Sequence, residues 1–228
     1  MTDNRDCNAP EDGTGLGDLR DFAERLLGDV HEGPPLDEVT RVLIQIAVRA
    51  AVTAMDVDGT GRFIDEALDL GIDAAQIQEA LTLVSGLGVH TLFESSRQLA
   101  DAVQRRAGGE TVPLDEARRA LWDRYVGTDP YWQRMETELP GFLDALLRMS
   151  PEAFEAFFGY CAVPWTTRAL RGVTKELISL AVDSTPTHRY LPGFALHLKN
   201  ALDLGAGSGA IREVIELSAA APSHRGVR

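Results

Sequence analysis

The sequence predicts an all-α protein, and three observations carry that prediction. Apolar residues recur at helical spacing in segment after segment, helix-capping residues punctuate those segments, and no run alternates apolar and polar positions between turn signals. With 228 residues, 44% of them hydrophobic, the chain can bury a sizeable core in one large domain or two small ones.

Residues 1–17 are rich in Asp, Gly and Asn with almost no apolar side chains, so they are expected to form a disordered acidic tail. A helix is predicted from Leu19, because Leu19, Phe22, Ala23, Leu26 and Leu27 fall on one helical face; "EGPP" at 32–35 stops it. "LDEVTRVLIQIAVRAAV" (36–52) reads as a largely buried helix. "GRFIDEALDLG" (61–71) reads as an amphipathic one closed by Gly71 in a left-handed C-terminal cap. In "DAAQIQEALTLVSGLG" (73–88), Asp73 and Gln76 have the spacing of a capping box. "GGETVPL" (108–114) is a connection, followed by the helix "LDEARRALWDRYV" and by "SPEAFEAFFGYCA", with Ser150 as N-cap and Pro151 at the first helical position. The aromatic stretch from 129 to 165 reads as a third helical layer, with a subunit interface as the alternative.

Charge and composition narrow the function classes. A net charge of -13, from 35 acidic and 22 basic residues, repels a phosphate backbone and argues against nucleic-acid binding. No apolar run approaches the length of a membrane span, and "MTDNRDCNAPEDGTG" lacks the basic and then apolar pattern of a signal peptide; the expectation is a cytoplasmic protein without membrane contact. Cys7 and Cys161 are too few and too far apart for a disulfide framework or a thiolate cage.

The chain also matches itself. Residues 40–91 lie on 174–225 without a gap, a shift of 134, with Thr40, Leu43, Ile44, Gly59, the block Ala67 to Gly71, Glu79 and His90 among the identical positions. The expected organisation is a first, degenerate repeat over 18–108, connecting helices over 109–165 and a second repeat over 166–228. Where the second copy has Glu176, His188 and His197, the first has Val42, Ala54 and Phe63, which neither exchange protons nor bind metals. His224 alone keeps its counterpart, His90.

"TKELISLAV", His197 within "HLKNAL" and "LGAGSGAIREVIEL" resemble the carboxymuconolactone decarboxylase family, which includes the alkylhydroperoxidase D-like proteins. The resemblance covers 173–225 and extends through the repeat to 39–92. It implies an all-helical fold of two packed units, self-association with a trimer expected first, and retention of the family's acid and histidine as Glu176 and His197. The peroxidase branch has a thiol pair between these two. Here that segment contains no cysteine, and His188 lies about where the first would fall, so thiol peroxide reduction has no agent.

Two mechanisms remain open for Glu176, His188, His197 and His224. In one, which requires no cofactor, an apolar pocket binds a small carboxylated, lactone-like compound. His197 is then the general acid/base, Glu176 orients it, and His188 donates a second proton or contacts the substrate carboxylate. In the other, His188, His197, His224 and Glu176 bind a divalent metal. A redox protein of the peroxidase branch and a non-catalytic helical scaffold are the alternatives of other classes.

Overall fold

A computed structural model describes residues 14–225. They form thirteen helices and no strand: α1 (Leu16–Leu27), α2 (Glu38–Ala50), α3 (Val57–Asp69), α4 (Ala74–Leu87), α5 (His90–Arg106), α6 (Glu116–Tyr125), α7 (Pro130–Glu138), α8 (Phe142–Met149), α9 (Pro151–Cys161), α10 (Val163–Thr167), α11 (Gly172–Asp183), α12 (Leu191–Asp203) and α13 (Ser208–Ala219).

Local chemistry accounts for the boundaries. Asp37 Oδ1 accepts from the Thr40 N–H at 2.8 Å, and Ser150 Oγ from that of Ala153 at 3.1 Å, each satisfying a free donor at a helix start. Gln76 Oε1 accepts from the Asp73 N–H at 3.1 Å, as the capping-box spacing predicts. Gly71, at φ +76, ends α3 in the left-handed conformation that suits glycine.

Two expectations need adjustment. The predicted tail lies outside the described residues up to position 13, but α1 begins at Leu16, because the Asp18 carboxylate accepts from the Gly15 N–H and starts the helix early. The same helix ends at Leu27, ahead of "EGPP", where the Val30 N–H bonds back to the Leu27 carbonyl and turns the chain away.

The repeated segments fold alike and face one another. Helices α2, α3 and α4 begin at 38, 57 and 74; α11, α12 and α13 begin at 172, 191 and 208, each 134 residues later. Helices α2 and α11 pack side by side with equivalent residues in contact: Thr40 Oγ1 is 3.4 Å from Thr174 Oγ1, and Arg171 donates to Asp37 at 3.2 Å.

Each third helix then reaches across to the other segment. Glu79 on α4 pairs with Lys175 at 2.8 Å and accepts from the Ala169 and Leu170 N–H groups; its equivalent on α13, Glu213, accepts from Arg41 Nε at 2.8 Å and from the Leu36 N–H. Equivalent residues of the two segments thus make reciprocal contacts.

Two cores result. Helices α1 to α4 and α11 to α13 share one, with Leu43, Ile44, Ile178, Leu180 and Phe194 at its centre. The helices between the repeats build the other around Phe142, Leu143, Phe154 and Phe158, joined by Phe93 of α5 and Leu196 of α12. The aromatic stretch is thus a third helical layer, and a hollow lies where this layer meets the repeat. Among the described residues, no helix is long and apolar enough to cross a membrane.

Candidate active site

Helix α11 is buried from Thr174 to Asp183, and a helix buried all round normally carries only apolar residues. Here Glu176, Ser179 and Asp183 recur at i, i+3 and i+7, so they share a face. That face meets Gly193, His197 and Asn200 of α12, which share a face at i, i+4 and i+7. The polar seam between the two helices is the candidate site.

Its centre is a buried pair. His197 Nδ1 lies 2.7 Å from Glu176 Oε2, and Asn200 Nδ2 donates to Glu176 Oε1 at 3.3 Å. The carboxylate can only accept, so Nδ1 carries the proton and Nε2 is the nitrogen left for chemistry. Asn200 is fixed in turn by Arg134, which donates to its Oδ1 at 2.7 Å and pairs with Asp203 at 2.6 Å. Burial alone would lower the His197 pKa, but the hydrogen bond and charge of Glu176, with the charge of Asp183, outweigh it and raise the pKa above the usual histidine value.

Beyond this pair, Asp183 Oδ2 stands 4.0 Å from His197 Nε2. A side chain at Gly193 would collide with it, since a Cβ there would fall 2.3 Å from Oδ2; glycine gives the carboxylate its place. On the other side of Asp183, His90 Nδ1 and His188 Nε2 lie 2.8 Å apart, 3.6 and 3.4 Å from Oδ1. The Tyr190 ring stacks on His90 with centroids 4.1 Å apart, and its hydroxyl donates to Glu94 at 2.8 Å. Burial pushes the His90 pKa down to about 4 against the charge of Asp183, so this imidazole is neutral near neutrality.

His197 and His90 line one cavity of about 50 Å³. Phe93, Trp132, Leu139, Phe157 and Trp165 wall it with apolar surface, and Ser179, Tyr131 and Cys161 add polar groups. Burial, then the charge of Glu176, raises the Tyr131 phenol well above its usual pKa; it stays a neutral donor. Burial raises the Cys161 thiol to about 11, so it is protonated near neutrality and a poor nucleophile. Cys7 lies outside the described residues.

Of the four residues singled out in the sequence, Glu176 and His197 come together. His188 belongs to the same cluster but bonds to His90, which stands between it and the cavity. His224 does not join: it is exposed near the carboxyl end, and the next residue, Arg225, bonds to the Ala54 carbonyl in the first segment. The reciprocal contacts of α4 and α13 explain the correction. Third helices cross between units, so the histidine that follows α4, His90, enters the second unit's site, while His224 follows α13 to the first. A metal set of His188, His197, His224 and Glu176 is therefore not assembled.

Asp183, His90, Asn200 and Tyr131 complete the site and were not predicted. For His90 a signal existed in its match to His224. For Asp183 it lay in the repeat, which puts Arg49 at the equivalent position.

The all-helical fold that carries this buried acid and histidine is shared by a solved structure. That structure, provisionally assigned as a gamma-carboxymuconolactone decarboxylase subunit from Burkholderia xenovorans LB400, is 30% identical to this chain, with a TM-score of 0.68 over 89% of each chain. The chain belongs to the carboxymuconolactone decarboxylase family. No family model and no curated protein matches it.

Proposed function

We propose that the chain is a lyase-type acid/base catalyst acting on a small carboxylated, lactone-like compound, with His197 as proton donor. The observation that carries this reading is the Glu176–His197 hydrogen bond at the wall of an aromatic cavity, with Nε2 as the nitrogen left to serve a substrate.

The chemistry follows from that geometry. In a low-polarity cavity the carboxylate of a bound substrate loses its hydration, which favours release of neutral CO2. The C–C bond breaks with its electron pair passing into an enolate or dienolate, and the His197 Nε2 proton forms the new C–H bond. Glu176 favours the imidazolium form, which suits His197 to donate a proton; water returns the proton after turnover. Tyr131, a neutral donor in the same wall, is placed to hold a substrate oxygen. The peroxidase alternative is not supported by Cys161, a protonated thiol without a partner thiol among the described residues.

The test uses gamma-carboxymuconolactone, the compound in the similar structure's name, together with a panel of related carboxylated lactones. Substrate loss, CO2 release and deuterium uptake from D2O are followed for wild type and His197→Ala. Turnover by wild type that falls about 100-fold to 10,000-fold in the variant is expected for loss of a general acid. Undiminished turnover by the variant, or no turnover of any panel member by wild type, overturns the reading.

A further inference from the structure

We propose that His90, His188 and Asp183 bind a divalent first-row transition ion beside the cavity. This is a different set from the one the sequence suggested, and it draws one ligand from each of three places: the start of α5, the loop between α11 and α12, and the last turn of α11.

The geometry is that of a metal site. His90 Nδ1, His188 Nε2 and Asp183 Oδ1 form a triangle with sides of 2.8, 3.4 and 3.6 Å. An ion just off the plane of that triangle reaches all three at roughly 2.0–2.1 Å, the distance at which zinc binds imidazole nitrogen and carboxylate oxygen. Two imidazoles and one carboxylate are a common donor set for catalytic zinc and for non-haem iron, and both leave coordination positions open.

The state of Asp183 points to the same ion independently. The residue is wholly buried, yet neither carboxylate oxygen has a hydrogen-bond partner. A buried carboxylate is costly unless paired, and an orphaned one asks for an explanation. All the side chains within 4 Å of its oxygens that carry a basic nitrogen are imidazoles: His90, His188 and His197. A divalent ion would pair with Oδ1 and leave Oδ2 toward His197.

The surroundings hold the donors in place. Gly193 leaves room for the carboxylate, and the Tyr190 N–H bonds to the Asp183 carbonyl at 2.9 Å while the Tyr190 ring stacks on His90. Ligands oriented by such outer contacts are typical of metal sites. The site also answers a charge problem. Behind the lining residue His197 stand two buried carboxylates, Glu176 at 2.7 Å and Asp183 at 4.0 Å, and an ion on His90 would offset their charge toward an anionic substrate in the cavity. An open position then takes water or, resting on the function proposed above, a substrate oxygen.

The experiment uses the full chain, stripped with a chelator and titrated with Co2+ followed by visible absorption and with Zn2+ followed by calorimetry. One ion per chain is expected, with Kd of about 1 µM or tighter and a Co2+ band from a nitrogen and oxygen site. His188→Ala and Asp183→Asn should each weaken binding by at least about tenfold, whereas His224→Ala should not. His188 sits in a loop, and circular dichroism of its variant checks that the fold is kept. Absence of saturable binding in wild type, or binding that survives both ligand substitutions, overturns the proposal. The readout is separate from turnover: His197→Ala should keep the ion while losing activity, so this site and the proton donor can fail independently.

Discussion

Replacing Glu79 with Gln tests how the start of α11, and with it Glu176, is held. The Glu79 and Lys175 side chains are only 2% and 4% exposed, and the same carboxylate also accepts from Thr167 Oγ1 and from the N–H groups of Ala169 and Leu170. The amide oxygen of Gln can keep part of this, but Lys175 loses its counter-charge inside the protein. Breaking a buried pair by removing one partner costs about 3–5 kcal/mol.

The repeat provides an internal control in Glu213→Gln. Glu213 and Arg41 are 29% and 38% exposed, so water replaces the lost partner and the cost should stay near 1 kcal/mol. At about 2–4 °C per kcal/mol for a chain of this size, Glu79→Gln should lower Tm by at least about 6 °C and Glu213→Gln by about 2–4 °C.

The pH dependence gives a second check. Burial would raise the Glu79 pKa, but Lys175, Thr167 and the two N–H groups together hold it below the usual glutamate value. A lowered folded-state pKa means stability that is present above the unfolded value of 4.5 and lost as pH falls through the folded one. The wild type should therefore converge on Glu79→Gln in acid. Differential scanning calorimetry between pH 3 and 7 reads both effects; equal losses from the two variants, or a constant gap down to low pH, would refute the reasoning.

Two further predictions concern the site's packing and its thiol. Gly193→Ala places a methyl against the Asp183 carboxylate and should cost about 1–3 kcal/mol, whereas Gly61→Ala, where a Cβ meets nothing within 4 Å, should stabilise α3 by about 0.5–1 kcal/mol; urea unfolding compares them. Alkylation of the half-buried Cys161, followed by peptide mass spectrometry, should be slow near neutrality and accelerate toward about pH 11; fast modification at pH 7 would contradict a thiol whose pKa is raised.

What the sequence disclosed depended on where the deciding physics is local. Caps are local, so Asp73 with Gln76, Ser150 with Pro151, and Gly71 are legible from residue type and spacing alone. The identities Thr40 with Thr174 and Glu79 with Glu213 are visible as matches, but their meaning is tertiary: one pair touches across α2 and α11, and the other ties each third helix to the opposite unit. The same crossing hides the right histidine. His224 is close to the second repeat in sequence, and His90 is close in space. Asp183 at the end of α11 looks like an ordinary polar residue, and only burial by its neighbours reveals it. Helix α5 has a weak signature in the sequence, because its exposed face carries Leu92, Leu99 and Val103, which blur the amphipathic pattern.

The account turns on Glu176 keeping His197 in the proton-donating form within the cavity. Nitrogen-15 NMR of the imidazoles, titrated in wild type and in Glu176→Gln, measures this directly. In wild type the midpoint of His197 should lie above the ordinary value of 6.5, with Nδ1 protonated throughout; in the variant it should fall. The sign carries into stability: a raised folded-state pKa contributes fully below the unfolded value of 6.5 and is lost as pH rises through the folded one, a dependence the variant should lack. A wild-type midpoint below 6.5, or one unmoved by Glu176→Gln, would contradict the account.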